Sequence, residues 1–542
     1  MDRKGRTFMS TAYNATSWLV DRHVLVGNGD HVAICADDVE QTYAELQREL
    51  FRAQNALSQL GMRREERVAL VLNDEPAFPA FFLGAMRSGI VPVALSTMLT
   101  GEELGAIIND AGARIAVLSA AYLRLLPSIS RCAPELEVAV ITGSQDSVGA
   151  GGIGEGNVID GSGLTLFDWD DLQDRSEAPV APTKRDSPGF WLYSSGTTGL
   201  PKGVMHRHGN LEATAATYAA SVLQVTPEDR FYSAAKLFFA FGLGNALTFP
   251  FSVGATAILD PARVTPKTIE ACLERHRPTL FFASPGLLAA ILDANIPQEV
   301  FSSVRLGATA GEALPAGILR RFTERYGFPV LDGIGSTEAL HIFISNRPGN
   351  ICPGTSGLPV EGYQVRLLDD SGEEVTEADK PGNLQVRGDS IATGYWCRTD
   401  ATRATFAGEW LNTGDVYLRT SEGYYQCLGR TSDMIKVGGI WVSPTEVEGV
   451  LLEHPDVLEA AVVGSHTEDG LETAVAFVVL SSGKTVTQAE LDAHCRDNMA
   501  AFKRPRHIIF SSELPKTATG KIQRYQLRER LSSELAQHSA PV

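Results

Sequence analysis

From Arg67 onward, short apolar runs alternate with segments of helical pattern: VALVL (68–72), EPAFPAFFLGAMRSG (75–89), VPVAL (91–95), TGEELGAIINDAG (100–112) and RIAVLS (114–119). Strand followed by helix followed by strand is the rhythm of a largely parallel sheet covered by helices, so an α/β core is expected. The stretch from Gly143 to Gly163 is rich in Gly, Ser and Asp, lacks periodicity, and reads as a surface loop between two sub-blocks. Beyond it the rhythm resumes with FWLYS, and later with ATAILD, TLFFAS, VRLGAT and PVLDGIG.

After about residue 360 the texture changes to closely spaced strands with turn residues, YQVRLLDDSGEEV, NLQVRGDSIATGY and GYYQCLGR, which predict a small antiparallel sheet or barrel. A compact α+β module begins beyond Arg430. Ser443, Pro444 and Glu446 form a capping-box pattern with proline at the first helical position, and Thr487 with Glu490 repeats the box. The strands LEAAVVG and TAVAFVVL lie between the two predicted helices.

Composition narrows the function. The 542 residues carry 47 Lys plus Arg against 65 Asp plus Glu, a formal net charge of -18. A nucleic-acid partner, which demands a positive surface, is not expected, and an anionic ligand would have to find its cations gathered at one site. Seven scattered cysteines form no CxxC pair and point to free thiols in a reducing compartment. The N-terminal segment lacks the apolar core of a signal peptide, and the run Leu280–Leu292 is shorter than the roughly 18 residues of a membrane span. A cytoplasmic protein is the default expectation.

The sharpest local signal is Tyr193–Gly203, YSSGTTGLPKG: an apolar strand running into Ser194, Ser195, Gly196, Thr197 and Thr198, with Lys202 at its end. Small residues let backbone N–H groups approach a phosphate, hydroxyls add donors, and the lysine supplies charge. It is not a Walker loop, because Gly203 rather than Ser or Thr follows the lysine. The segment resembles the phosphate signature of the adenylate-forming superfamily, which includes acyl-CoA and aryl-CoA ligases, peptide-synthetase adenylation domains and luciferases. Further blocks match in order: Gly335-Ser336-Thr337-Glu338, Asn412-Thr413-Gly414-Asp415, Gly429-Arg430-Thr431-Ser432-Asp433 with Lys436 and Gly438, and PKTATGKI ending at Ile522.

That resemblance implies a large N-terminal body, residues 1–431, of two α/β sheets plus a small β-barrel, and a mobile α+β C-terminal domain, residues 432–542. It implies ATP, Mg²⁺ and coenzyme A as reaction partners. Lys521 maps onto the lysine that bridges carboxylate and α-phosphate in the transition state. Thr337 is expected on the α-phosphate, Glu338 on Mg²⁺, and Asp415 on the ribose hydroxyls with Arg430 close by. Adenine recognition falls on Ala310, Gly311 and Glu312 and on Asp332, Gly333 and Ile334, where many relatives place a tyrosine at the last position. Ser432 stands at the pivot between two domain orientations, with Asp433 beside it, where Asp or Lys is the common pivot residue. Lys436, Gly438 and Gly439 fall at the pantetheine approach, although the glycines also read as a simple turn.

The acid pocket is read from FFAFGLGN (238–245) and from LHIF (340–343). No acidic residue lies between Ala234 and Asp260, so an α-ammonium would be buried unpaired. These segments resemble the benzoate-CoA ligase group, in which tyrosine commonly stands at the position of Phe241. The implied ring contacts are Ala240, Phe241, Phe249, Gly335, His341 and Ile342. His341 also reads as a core histidine, and the phenylalanines as core packing. Benzoate or a 2-substituted relative such as anthranilate is the expected acid. A carrier-protein phosphopantetheine arm is the alternative acceptor to CoA, and a non-catalytic nucleotide sensor the alternative of another class. The basic run Lys503-Arg504-Pro505-Arg506 suits a CoA phosphate or an ordinary solvated face. His206 and His208 form an HxH without a third ligand at suitable spacing; surface positions or a wall of the nucleotide site are expected for them. Monomer and homodimer both remain open.

Overall fold

Parallel strands Val330–Gly335, Leu306–Thr309, Leu280–Ala283, Arg230–Ser233, Thr256–Leu259 and Val32–Ala36 lie side by side in that order. Antiparallel strands Ile342–Ser345 and Leu358–Pro359 extend one edge of this sheet, and Val39–Thr42 the other. The computed structural model describes residues 12–143, 157–158, 163–194, 201–437, 440–466, 472–516 and 522–538. Among them a second large sheet repeats the plan. Pro188–Ser194, Val91–Ala94, Arg67–Val71, Ile115–Ser119, Val138–Thr142 and Thr165–Asp168 run parallel, with Lys202–Arg207 and Asn157–Val158 antiparallel at the edges.

Helices on both faces explain why the central strands read as unbroken apolar runs: Ile115–Ser119 and Leu280–Ala283 are buried at every position. The helix Ala77–Arg87, buried from Phe78 onward, belongs to a core that takes residues from both sheets and includes Phe81, Phe82, Phe190 and Phe251. Asn157–Val158 departs from the reading of Gly143 to Gly163 as loop alone, since it pairs with Leu166 and Thr165. An edge strand needs one ladder partner, and two residues are too few to show a period. Residues 144–156 and 159–162 lie outside the described chain.

Gln364–Leu368, Gly382–Arg387, Trp410–Arg419 and Tyr425–Arg430 form an antiparallel sheet with the short strand Phe406–Ala407. Gly382–Arg387 alternates buried with half-buried positions, as a sheet covered on one face requires. Of the antiparallel sheet or barrel expected here, the described ladders make a sheet. Among the described strands, Gln364–Leu368 is laddered only to Gly382–Arg387, and no ladder carries it round to the far edge.

The smaller C-terminal domain holds the sheet Val457–His466, Glu472–Leu480, His507–Phe510, the hairpin Ile435–Val437 with Ile440–Val442, and helices Pro444–Glu453, Gln488–Asn498 and Arg524–His538. The Thr487 box is complete: Glu490 N donates to Thr487 Oγ1 at 3.3 Å and Thr487 N to Glu490 Oε2 at 2.7 Å. At Ser443 only half of it forms. Glu446 N reaches Ser443 Oγ at 3.1 Å, but the Glu446 carboxylate turns to Lys503, an ion pair that replaces the second capping bond. Within this domain Glu448 accepts from Val462 N at 2.7 Å and, through both oxygens, from Arg524 Nη2 at 2.8 Å. The helix Pro444–Glu453 packs on the body helix Ala316–Tyr326 and on the Tyr425–Arg430 strand. All seven cysteines are free, and no helix among the described residues is long and apolar enough to cross a membrane.

Candidate active site

A cavity of about 480 Å³ opens where the C-terminal domain meets the body. Gly311, Glu312, Gly333, Ile334, Gly335, Asp415 and Arg430 line it from one side, and Glu448, Lys516, Ile522 and Arg524 from the other. Asp415 and Arg430 are partners on neighbouring strands, with Nε 3.0 Å from Oδ1. The carboxylate raises the guanidinium above its ordinary range, and Arg430 Nη1 also donates to Thr413 O at 2.7 Å. Both side chains are therefore set in place before any ligand arrives. Glu312 Oε1 accepts from Ile522 N at 2.9 Å, tying the residue that follows Lys521 to the body.

Asp332, next to this wall, is only 4% exposed. Its Oδ2 accepts from Leu314 N at 3.3 Å, its Oδ1 has no hydrogen-bond partner, and burial pushes the carboxyl up to about 8. A buried acceptor in this state is stabilised by any N–H that reaches it. Ala310 is buried at the end of the neighbouring Leu306–Thr309 strand.

The segment expected to bind phosphate begins at the end of a strand. Ser194 ends the Pro188–Ser194 strand and pairs with Lys202 on the returning strand; Ser195, Gly196, Thr197 and Thr198 lie outside the described residues. Lys202 Nζ stands 5.2 Å from the centre of the Tyr395 ring. Thr337 and Glu338 occupy the turn after Val330–Gly335, in which Ala339 N donates to Ser336 Oγ and Leu340 N to Thr337 O, both at 3.1 Å. Leu340 closes the turn at φ +68°, a left-handed conformation that a bulky residue keeps only when its surroundings impose it.

Those surroundings are specific. His206 Nε2 donates to Thr337 O at 2.9 Å, Ala392 N to Glu338 O at 2.8 Å, and Ser390 Oγ to Ala339 O at 2.6 Å. The Tyr395 hydroxyl donates to Glu338 Oε1 at 2.8 Å. His206 is no surface residue: it is 1% exposed, and burial holds it neutral by pushing its pKa down to about 3. Its Nδ1 accepts from Asn210 Nδ2 at 2.9 Å, which fixes the tautomer that donates to Thr337. His208, also fully buried, accepts from Ala15 N at 3.2 Å. Among the described residues no group of three ligating side chains could hold a metal.

The aromatic cluster expected to contact the acid centres on His341, 2% exposed and likewise pushed by burial down to about 3. Its ring lies 4.5 Å from Phe249, 5.4 Å from Phe241 and 5.1 Å from Tyr218, centre to centre. Nε2 meets Asn245 Oδ1 at 3.2 Å, while Asn245 Nδ2 has no partner. Two glycines make this packing possible: a Cβ on Gly244 would fall 2.3 Å from His341 Cδ2, and one on Gly335 would fall 2.6 Å from His341 O. Ala240 is buried one residue before Phe241 on the Ala240–Leu243 helix, and Ile342, the register partner of Gly335, is buried beside His341.

Ser432 is exposed on the turn after Arg430, and Asp433 pairs with Arg528 at 3.1 Å. Lys436 lies on the hairpin, its Nζ 5.3 Å from the Trp441 ring, away from the cavity lining. Gly438, Gly439 and Lys521 are outside the described residues. The structure thus brings together Glu312, Gly333, Ile334, Asp415 and Arg430, and separately Phe241, Phe249 and His341; it sets Lys436 apart. Tyr218, Tyr395 and the role of His206 as a support were not anticipated.

Comparison with known proteins agrees with this layout. Residues 21–396 match the AMP-binding enzyme family, and residues 446–521 match the AMP-binding enzyme C-terminal domain. A benzoate-CoA ligase of Thauera aromatica is 45% identical over 523 residues, covering 95% of this chain and 96% of that protein. The anthranilate CoA ligase AuaEII, solved in complex with anthranoyl-AMP, superposes with a TM-score of 0.90 at 38% identity, over 99% of this chain and 100% of that one. A benzoate CoA ligase from Burkholderia xenovorans LB400 gives 0.85 at 41% identity, over 95% and 100%. The chain belongs to the AMP-binding, adenylate-forming enzyme family.

Proposed function

We propose that this chain is an ATP-dependent aryl-CoA ligase acting on benzoate or a 2-substituted relative such as anthranilate. In the first half-reaction a carboxylate oxygen of the acid attacks the ATP α-phosphate and pyrophosphate leaves. In the second, the CoA thiol sulfur attacks the acyl carbon, its proton is lost, and AMP departs. The observation that carries the reading is the neutrality of the aromatic cluster: Phe241, Phe249, Tyr218, Asn245 and a neutral His341 pack together with no charged side chain among them. A flat uncharged ring is accommodated there, whereas the ammonium of an α-amino acid would be buried without a counter-charge. Relatives named for benzoate and anthranilate support the same choice.

In this reading Asp415 accepts the ribose hydroxyls, with Arg430 holding its carboxylate. Asp332 Oδ1 accepts the adenine amino N–H, flanked by Ala310, Gly311, Glu312, Gly333 and Ile334. The Ser194–Thr198 segment and Lys202 take the outer phosphates, and Thr337 the α-phosphate. The single carboxylate of Glu338 fits a cation that arrives already bound by phosphate oxygens; Mg²⁺, when bound, offsets their charge. Lys521 bridges the acid and the α-phosphate. Residues 432–542 then rotate about Ser432 and Asp433, bringing Lys436, Gly438 and Gly439 to the pantetheine.

Incubation with Mg·ATP, CoA and a panel of benzoate, anthranilate, salicylate and 4-hydroxybenzoate, followed by pyrophosphate assay and thioester mass, tests this. Benzoate or anthranilate should give both products. Pyrophosphate exchange without thioester on free CoA would move the acceptor to a carrier protein. No exchange with any aromatic acid would leave only nucleotide binding.

A further inference from the structure

Tyr395 lies far in sequence from Lys202 and Glu338, the two charged residues it faces. The segment carrying it runs beside the Lys202–Arg207 strand: Thr393 N donates to Met205 O at 2.9 Å, Met205 N to Gly394 O at 3.0 Å, and Trp396 N to Gly203 O at 2.8 Å. Tyr395 N donates to Thr402 Oγ1 at 3.0 Å, and its ring meets Phe406 edge-on at 5.4 Å, which leaves the side chain 8% exposed. Backbone and ring are both pinned. From that position the hydroxyl donates to Glu338 Oε1 at 2.8 Å, while the ring presents itself to Lys202 Nζ at 5.2 Å.

The chemistry of this arrangement is selective. A lysine and a glutamate built close together would neutralise each other as an ion pair. A tyrosine placed against both gives the ammonium a weak quadrupole partner and the carboxylate a neutral donor, so both keep their charge for a ligand. The hydroxyl engages one oxygen of Glu338 and fixes its rotamer, leaving Oε2 for a second partner.

Building on the roles proposed above for Lys202 and Glu338, we infer that Tyr395 is a positioning residue that holds the phosphate-binding lysine and the cation-binding carboxylate in register without letting them pair. Its hydroxyl serves the cation side and its ring the phosphate side, and two substitutions separate them.

Calorimetric titration of α,β-methylene-ATP, with and without Mg²⁺, reads both arms on the full chain. Tyr395→Phe keeps the ring and should weaken binding of the Mg²⁺-loaded analogue about tenfold while leaving the metal-free analogue unchanged. Tyr395→Leu should in addition weaken the metal-free analogue about threefold. Adenylation should fall with Mg²⁺-loaded binding, and thioester formation from a synthetic benzoyl-adenylate should not change in Tyr395→Phe. Equal weakening of loaded and metal-free nucleotide by Tyr395→Phe, or wild-type behaviour, overturns the inference. Glu338→Gln is the reference: if it too leaves the Mg²⁺ dependence untouched, the assignment of Glu338 fails first. If Glu338→Gln abolishes that dependence and Tyr395→Phe does not alter it, only the role of Tyr395 falls.

Discussion

In the proposed nucleotide corner, Asp415 and Arg430 hold each other at 3.0 Å on a wall that water still reaches, and the carboxylate raises the guanidinium above its ordinary range. In the aromatic pocket His341 is closed in by Phe241, Phe249 and Tyr218, and burial strips it of the proton it would otherwise take up. The difference teaches how one chain could handle a polyanion and a flat acid together in the proposed function. In the proposed function charge is concentrated where phosphates and ribose would bind and excluded where the ring would pack, because an ion without a partner is costly when buried. Asp332 stands between the two regimes: near the nucleotide wall, yet buried and raised to about 8.

The sharpest way to break this comparison is to remove the cation that must come from outside the neutral pocket. Lys521→Ala should lower adenylation by a hundredfold or more, about the worth of a transition-state charge partner, while thioester formation from a preformed aryl-adenylate persists. Pyrophosphate exchange and thioester assays check it, and equal loss of both half-reactions would sink the division of labour. Asp415→Asn comes next. Loss of a charged hydrogen-bond acceptor should weaken AMP binding about ten- to hundredfold with the KM for benzoate unchanged. A matching rise in the benzoate KM would mean that the two regions are not separable.

Asp332 offers a pH test. Its carboxyl is raised from 3.8 to about 8, so between those values the folded chain holds a proton that the unfolded chain has released. The stability this group contributes is full below 3.8 and is lost as pH rises through about 8. Asp332→Asn stays neutral throughout and should flatten that decline, raising the Tm of the ligand-free protein at pH 8 by about 2 °C. Superimposable Tm curves for the two proteins from pH 4 to 8 would show that Asp332 is already ionised in the fold. The smallest effect is expected from Phe241→Tyr, which adds one hydroxyl to the pocket wall. It should change the kcat/KM ratio of 4-hydroxybenzoate to benzoate by about tenfold or less and leave nucleotide affinity alone.

Much of this was legible in the chain because it is local. Strands covered on both faces announce themselves as apolar runs, and the Thr487–Glu490 box spans one helical turn. Asp415, Arg430 and His341 could be named because the short segments that carry them resemble those of the family. What stayed hidden is made of contacts between distant segments. Tyr395 meets Glu338 across 57 residues, and Arg524 meets Glu448 across 76. No periodicity marks such pairs. His206 looked polar and exposed by type, but a histidine whose two nitrogens are both matched can be buried without penalty, and only the fold supplies Asn210 and the Thr337 carbonyl. The choice between sheet and barrel was hidden for a related reason: alternation within Gly382–Arg387 reveals one covered face, whereas closure depends on how the outermost strands meet.

Gly244 carries a consequence for descent as well as for packing. Because a Cβ there would strike His341 Cδ2 at 2.3 Å and come within 3.2 Å of Phe249 Cζ, a one-carbon change would shift two walls of the pocket at once. None of the residues that line the nucleotide wall is in that contact. A substitution at Gly244 therefore presses first on the side chains proposed to meet the ring, before any that line the nucleotide cavity.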